Sequence, residues 1–125
     1  ERQFNTRSES HSDTVSSVEQ LIKRYYENGD QLKDGTPSIQ YLANQVNLSA
    51  NYLSDLLKKE TGKNTKEHIN RFIIEKAKST LLNSEMNVSE IAYDLGFNYP
   101  HYFSRMFKKE TGMTPQEYRE NELQG

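Results

Sequence analysis

The chain has 125 residues, a length that fits one domain or one compact pair of subdomains at roughly 100–200 residues per domain. Hydrophobic residues make up 33% and charged residues 27%, so the core is thin, and no apolar run approaches the ~18–20 residues of a membrane helix. Sixteen basic against eighteen acidic residues leave a net charge of −2, and cysteine is absent, which excludes disulfides, thiolate-bound zinc and thiol catalysis together.

Residues 1–12 hold one large apolar side chain, Phe4, and are expected to form a flexible tail or linker. The chain does not begin with Met and nothing near Glu1 resembles a signal peptide, so a fragment is expected. A helical pattern follows, with Val15, Val18, Leu21, Ile22, Tyr25 and Tyr26 at three- and four-residue steps, and Asn28-Gly29-Asp30 ends it. Residues 31–37, with Gly35 and Pro37, read as a loop.

Beyond that loop the chain repeats itself. Lys58-Lys59-Glu60-Thr61-Gly62 returns fifty residues later as Lys108-Lys109-Glu110-Thr111-Gly112, and Tyr52-Leu53-Ser54 returns as Tyr102-Phe103-Ser104. Leu42-Ala43 returns as Ile91-Ala92 at an offset of forty-nine, so the second copy carries one extra residue near Tyr99-Pro100. Each copy reads as a short helix, a tight turn and a second helix. Asn47 and Gly96 occupy the turns, the two residue types that most readily adopt the left-handed conformation. An apolar residue, Leu48 or Phe97, follows each turn and packs between the helices, the arrangement of a helix-turn-helix motif.

The helix ends agree with this division. Asn87 with Glu90 makes a capping-box pattern, Gly62 and Gly112 stand where left-handed caps would close the second helices, and Thr114-Pro115-Gln116-Glu117 opens a last helix through about Asn121. Thr65 to Leu82 has no Gly or Pro and reads as one connecting helix of about 26 Å. The expected organisation is therefore all-α, with about seven helices. A tail covers 1–12, an N-terminal helix and the first helix-turn-helix subdomain cover 13–62, the connecting helix covers 63–84, and the second subdomain with its C-terminal helix covers 85–125.

The outward stripe of the first unit's second helix is Asn51, Ser54, Asp55 and Lys58; in the second unit it is His101, Ser104, Arg105 and Lys108. Short hydrogen-bonding groups near the N-terminal end with lysine further along suit a helix whose first turns reach base edges while cations meet phosphates. Arg105 can pair bidentately with guanine and Asn51 with adenine. Asp55 can accept from cytosine N4, although an i,i+4 pair with Lys59 is the favoured reading. Phosphate contacts are expected from Ser49 and Lys58 in the first unit and Asn98 and Lys108 in the second. Tyr52, Phe72, Phe97, Tyr102, Phe103 and Phe107 read as core, and His11 and His68 as ordinary surface residues. The three histidines are scattered, so no metal site, cofactor or catalytic set is expected.

Ile91-Ala92, Gly96-Phe97, Tyr102-Phe103-Ser104, Phe107-Lys108-Lys109, Thr111-Gly112, Pro115 and Tyr118-Arg119 closely resemble the second half of the DNA-binding domain of AraC/XylS-family transcription regulators. Leu42-Ala43, Leu48-Ser49, Asn51-Tyr52-Leu53-Ser54 and Lys58 to Gly62 resemble the first half, and Ile74-Glu75-Lys76-Ala77 the end of the connecting helix. The resemblance covers about residues 38–120. It implies two helix-turn-helix subdomains, double-stranded DNA as partner, and regulation of bacterial transcription in the cytoplasm. It places the base-reading stripe on Asn51, Ser54 and Asp55 and on Pro100, His101, Ser104 and Arg105. Asp55 departs from the basic residue often found there, and Pro100 has no N–H to donate. The family usually joins this domain to a sensing or dimerising domain, which is expected upstream. The competing reading is a helical protein–protein module that docks RNA polymerase or a partner regulator without reading DNA.

Overall fold

The computed structural model describes the backbone of residues 2–124 and the side chains of residues 13–123. Among these, eight helices and no strands are present: α1 (Arg2–Glu27), α2 (Asp30–Asp34), α3 (Ile39–Gln45), α4 (Ala50–Thr61), α5 (Thr65–Asn83), α6 (Val88–Asp94), α7 (Pro100–Thr111) and α8 (Pro115–Gln124). None is long and apolar enough to cross a membrane. The all-α class and the paired short–long helices match the expectation. The backbone of α1 begins at Arg2, within the segment expected to be a tail. No glycine or proline interrupts residues 2–27, so a helix anchored by its apolar second half can propagate toward the terminus at little cost. The side chains of residues 1–12, His11 included, lie outside the described ones.

The chain divides into two compact units. One comprises residues 1–28 and 37–70, the other residues 29–36 and 71–125, so the dividing point falls inside α5. In the first unit, Val18, Ile22, Tyr25 and Tyr26 of α1 are buried, as are Leu42 and Ala43 of α3, Leu53, Leu56 and Leu57 of α4, and Ile69 of α5. The Tyr25 ring lies 5.4 Å from that of Tyr41, joining α1 to α3. Asn64 and Glu67 form a reciprocal cap at the start of α5, where Asn64 N donates to Glu67 Oε1 at 2.8 Å and Glu67 N to Asn64 Oδ1 at 2.9 Å.

The second unit buries Ile73, Ile74, Ala77 and Leu81 of α5, Ile91 and Ala92 of α6, Leu95, and Phe103 and Phe107 of α7. Phe107 stands 5.9 Å from Phe103 and 5.6 Å from Tyr118, which fastens α8 to α7. Arg119 reaches from α8 to the end of α5, donating from Nε to the Leu81 carbonyl at 2.8 Å and from Nη2 to the Ser84 carbonyl at 3.3 Å.

One element differs from the sequence reading. Residues 31–34, expected within a loop over 31–37, belong to the five-residue helix α2, which lies in the second unit. Gln31 is buried there and donates from Nε2 to the Asp94 carbonyl at 3.1 Å. A helix so short shows no apolar period, and its contact with the end of α6 ties it into the unit. The helix α5 carries the chain from one unit into the other, with Asn70 in the first and Arg71 in the second.

Candidate nucleic-acid interface

The two turns are built alike. Asn47 has φ 59° and Gly96 φ 102°, both in the left-handed region. Asn47 N donates to the Asn44 carbonyl at 3.2 Å, and Gly96 N to the Tyr93 carbonyl at 3.0 Å. The next amides, Leu48 N and Phe97 N, return to Ala43 and Ala92 carbonyls, each at 3.0 Å. Duplicated turn residues thus close duplicated hydrogen-bond pairs. Asn is tolerated at the first turn, whereas a Cβ at Gly96 would meet Thr36 N at 2.9 Å and Gly35 C at 3.0 Å.

The start of each second helix is where the units diverge. Ser49 caps α4, its Oγ accepting from Tyr52 N at 3.1 Å. Tyr99 holds the equivalent position before α7 and makes no side-chain cap; Pro100 at the first helical position supplies the fixed φ instead. Asn98 is the extra loop residue, exposed beside it.

Along the helices the exposure runs in register. Asn51, Asp55 and Lys58 are exposed and Ser54 is half-buried; His101, Arg105 and Lys108 are exposed and Ser104 is half-buried. Leu53 and Leu57 oppose the first stripe in the core, and Phe103 and Phe107 the second. Each stripe expected from sequence is therefore an outward face of its own unit. No ion pair joins Asp55 to Lys59 among the described residues, so the favoured pairing is not formed and the carboxylate faces solvent.

Two readings of aromatic residues are corrected. Tyr52 and Tyr102, expected in the core, are each 52% exposed. A residue one step from a buried position is rotated ~100° away from it, and Tyr52 precedes Leu53 as Tyr102 precedes Phe103. Tyr99, which sequence did not single out, is 58% exposed. With Tyr102 and His101 it forms a ring cluster at the start of α7, the His101–Tyr102 centroids 4.3 Å apart and Tyr99–Tyr102 5.7 Å.

The repeated Glu-Thr-Gly has a structural cause. Thr61 Oγ1 donates to the Leu57 carbonyl at 2.7 Å and accepts from Lys63 N at 3.2 Å. Thr111 Oγ1 does the same with Phe107 at 2.8 Å and Met113 N at 3.3 Å. The glycines that follow have φ 84° and 88°. Thr61 Oγ1 also lies 2.9 Å from His68 Nε2, so His68 is a partnered, half-buried residue and not plain surface. Helix starts downstream of each repeat are closed by Glu67 and Glu117; Glu117 Oε1 accepts from Thr114 N at 2.9 Å. Those backbone hydrogen bonds hold both carboxyls below the ordinary glutamate range, aided by nearby Lys58 and Lys63 for Glu67 and by the Thr114 hydroxyl and Lys108 for Glu117.

Residues 42–121 match the helix-turn-helix domain family of AraC type. The chain is 38% identical over 93 residues to the transcriptional regulatory protein YesN of Bacillus subtilis, covering 72% of this chain and 25% of that protein. It is 35% identical over 79 residues to the transcriptional activator RhaS of Escherichia coli, covering 63% of this chain and 28% of that one. The chain thus spans about a quarter of the length of these curated relatives. Among solved structures, the C-terminal domain of the response regulator YesN from Fusobacterium nucleatum superposes with a TM-score of 0.68 at 34% identity, covering 80% of this chain and 95% of that one. The C-terminal domain of the response regulator AraT from Geobacillus stearothermophilus gives 0.73 at 31%, covering 86% and 84%. The DNA-binding domain of AdpA, solved with a target DNA, shares the fold at TM-score 0.69 and 19% identity, covering 84% and 91%.

Proposed function

The chain belongs to the helix-turn-helix domain family of AraC-type transcription regulators, and from that premise we propose that it binds double-stranded DNA sequence-specifically and regulates bacterial transcription, with α4 and α7 reading two successive major-groove segments. The observation that carries this reading is the shared register of exposure on the two helices, each following the same left-handed turn. A single outward stripe is ordinary on any amphipathic helix; two matched stripes on duplicated turns are the form of a paired reader.

In this reading Asn51, Ser54 and Asp55 face bases in one half-site and His101, Ser104 and Arg105 in the other. Arg105 takes guanine O6 and N7 with its fork of donors, and Asp55 accepts from cytosine N4. Lys58, Lys108 and Asn98 meet phosphates. Ser49 already accepts the Tyr52 amide, which leaves its hydroxyl proton for a phosphate oxygen. Pro100 contributes shape and no hydrogen bond. The chemistry is recognition, with no catalytic step. The intact regulator would work in the cytoplasm and carry a sensing or dimerising domain upstream, and contact with RNA polymerase belongs to the same reading.

Selection from random duplexes followed by footprinting tests it. One copy of the chain should protect a site of about 16–20 base pairs with two unlike halves, their centres ~34–36 Å apart along the duplex. Two copies on a short palindrome would overturn the arrangement. Failure to enrich any sequence would favour a helical protein–protein module, the reading to which the net charge of −2 and the pI of about 5.9 speak.

A further inference from the structure

Fifty residues apart, α4 and α7 agree at some exposed positions and differ at others. The exposed pairs that differ early in the helices are Asn51/His101 and Asp55/Arg105, those given to base reading above. The exposed pairs that are identical are Tyr52/Tyr102, Lys58/Lys108, Lys59/Lys109 and Glu60/Glu110. Lysines are at home on any solvated helix end, but a duplicated exposed tyrosine is not. The core does not require it: each tyrosine is 52% exposed, and neither phenol hydroxyl has a hydrogen-bond partner among the described residues. Intrinsic helix propensity does not favour it either, since tyrosine ranks below Ala, Leu, Lys or Glu.

Position supplies the reason. Each tyrosine lies in the first turn of its helix, ~100° around from Asn51 or His101, and three residues before Asp55 or Arg105. It therefore flanks the reading stripe on the end that enters a groove, beside the sugar-phosphate edge. We propose that Tyr52 and Tyr102 are sequence-independent contacts to the DNA backbone, each phenol hydroxyl donating to a phosphate oxygen. Each fixes its own helix against the backbone while residues 51/101 and 55/105 read different bases. This rests on the DNA-binding reading above and adds residues that reading does not use. In the second unit the rings of His101 and Tyr99 brace Tyr102, so that contact is the more preorganised of the two.

The test uses Tyr52→Phe, Tyr102→Phe and the double variant, with fluorescence anisotropy against the selected duplex and a random duplex at several salt concentrations. Far-UV circular dichroism and thermal unfolding accompany each variant. Each single change should weaken both duplexes by about three- to ten-fold, the scale of one neutral hydrogen bond, and the double variant by about the product. The ratio of selected to random affinity should stay constant. The slope of log affinity against log salt should also stay constant, because a phenol releases no counterion, whereas Lys58→Ala lowers it by about one. Folded Phe variants that bind as wild type, or a changed affinity ratio, would overturn the proposal and leave DNA binding standing. A wild-type chain that binds neither duplex would overturn DNA binding itself.

Discussion

The Nε of Arg119 donates to the carbonyl of Leu81 across 2.8 Å, linking residues thirty-eight positions apart. The carbonyls at the end of α5 lack intrahelical partners and carry the negative end of its dipole, and a guanidinium satisfies both needs. Tyr118, the neighbouring residue, lies against Phe107 and under Lys78, whose Nζ is 5.9 Å from the ring centroid. The C-terminal helix is therefore the clasp of the second unit.

Arg119→Ala should destabilise that unit by about 1.5–3 kcal/mol, the range for a hydrogen bond from a charged donor. Arg119→Lys should recover only part, because one ammonium cannot serve the Leu81 and Ser84 carbonyls in the planar geometry of the fork. Chemical denaturation of the three proteins checks this, and equal midpoints would remove the clasp.

The glycines of the turns and caps should not be equivalent. At Gly62 an added Cβ meets nothing within 4 Å, so Gly62→Ala meets only the left-handed backbone cost of ~1–2 kcal/mol. At Gly96 the same methyl would strike Thr36 N at 2.9 Å. Gly96→Ala should cost distinctly more, and should loosen residues 29–36 as judged by amide hydrogen exchange.

Acid should act through the caps of α5 and α8. The bound forms of Glu67 and Glu117 are ionised, and their backbone hydrogen bonds hold the folded carboxyls below the ordinary glutamate value. Their contribution is then complete above the unfolded value and is lost as pH falls through the lowered folded values. Glu67→Gln with Glu117→Gln should lower stability at neutral pH and flatten its decline below about pH 4.5. A decline as steep as wild type would assign acid sensitivity to other groups.

Charge and specificity should separate by residue. Arg105→Ala should relax preference at one or two positions in one half-site, at about 1–3 kcal/mol, while Lys108→Ala should weaken all sequences evenly. With about four to six phosphates neutralised, the wild-type salt slope should be about −4 to −5. Repeating the selection with each variant distinguishes the two effects.

Sequence by itself determined the helical class, the duplicated units, the left-handed turns at Asn47 and Gly96, and the outward stripes. Those are local matters: a turn needs a residue that tolerates positive φ, and a stripe is the complement of an apolar period of 3.6. Tertiary structure decided what local pattern cannot carry. The helix α2 is tied to the end of α6 by Gln31, which meets the Asp94 carbonyl sixty-three residues away. Whether a tyrosine beside a core position turns inward depends on which neighbours are present to cover it, and Tyr52 and Tyr102 each stay 52% exposed. The role of Arg119 likewise depends on the end of α5 lying within reach, a proximity created by packing Phe103, Phe107 and Tyr118 and by nothing in their order along the chain.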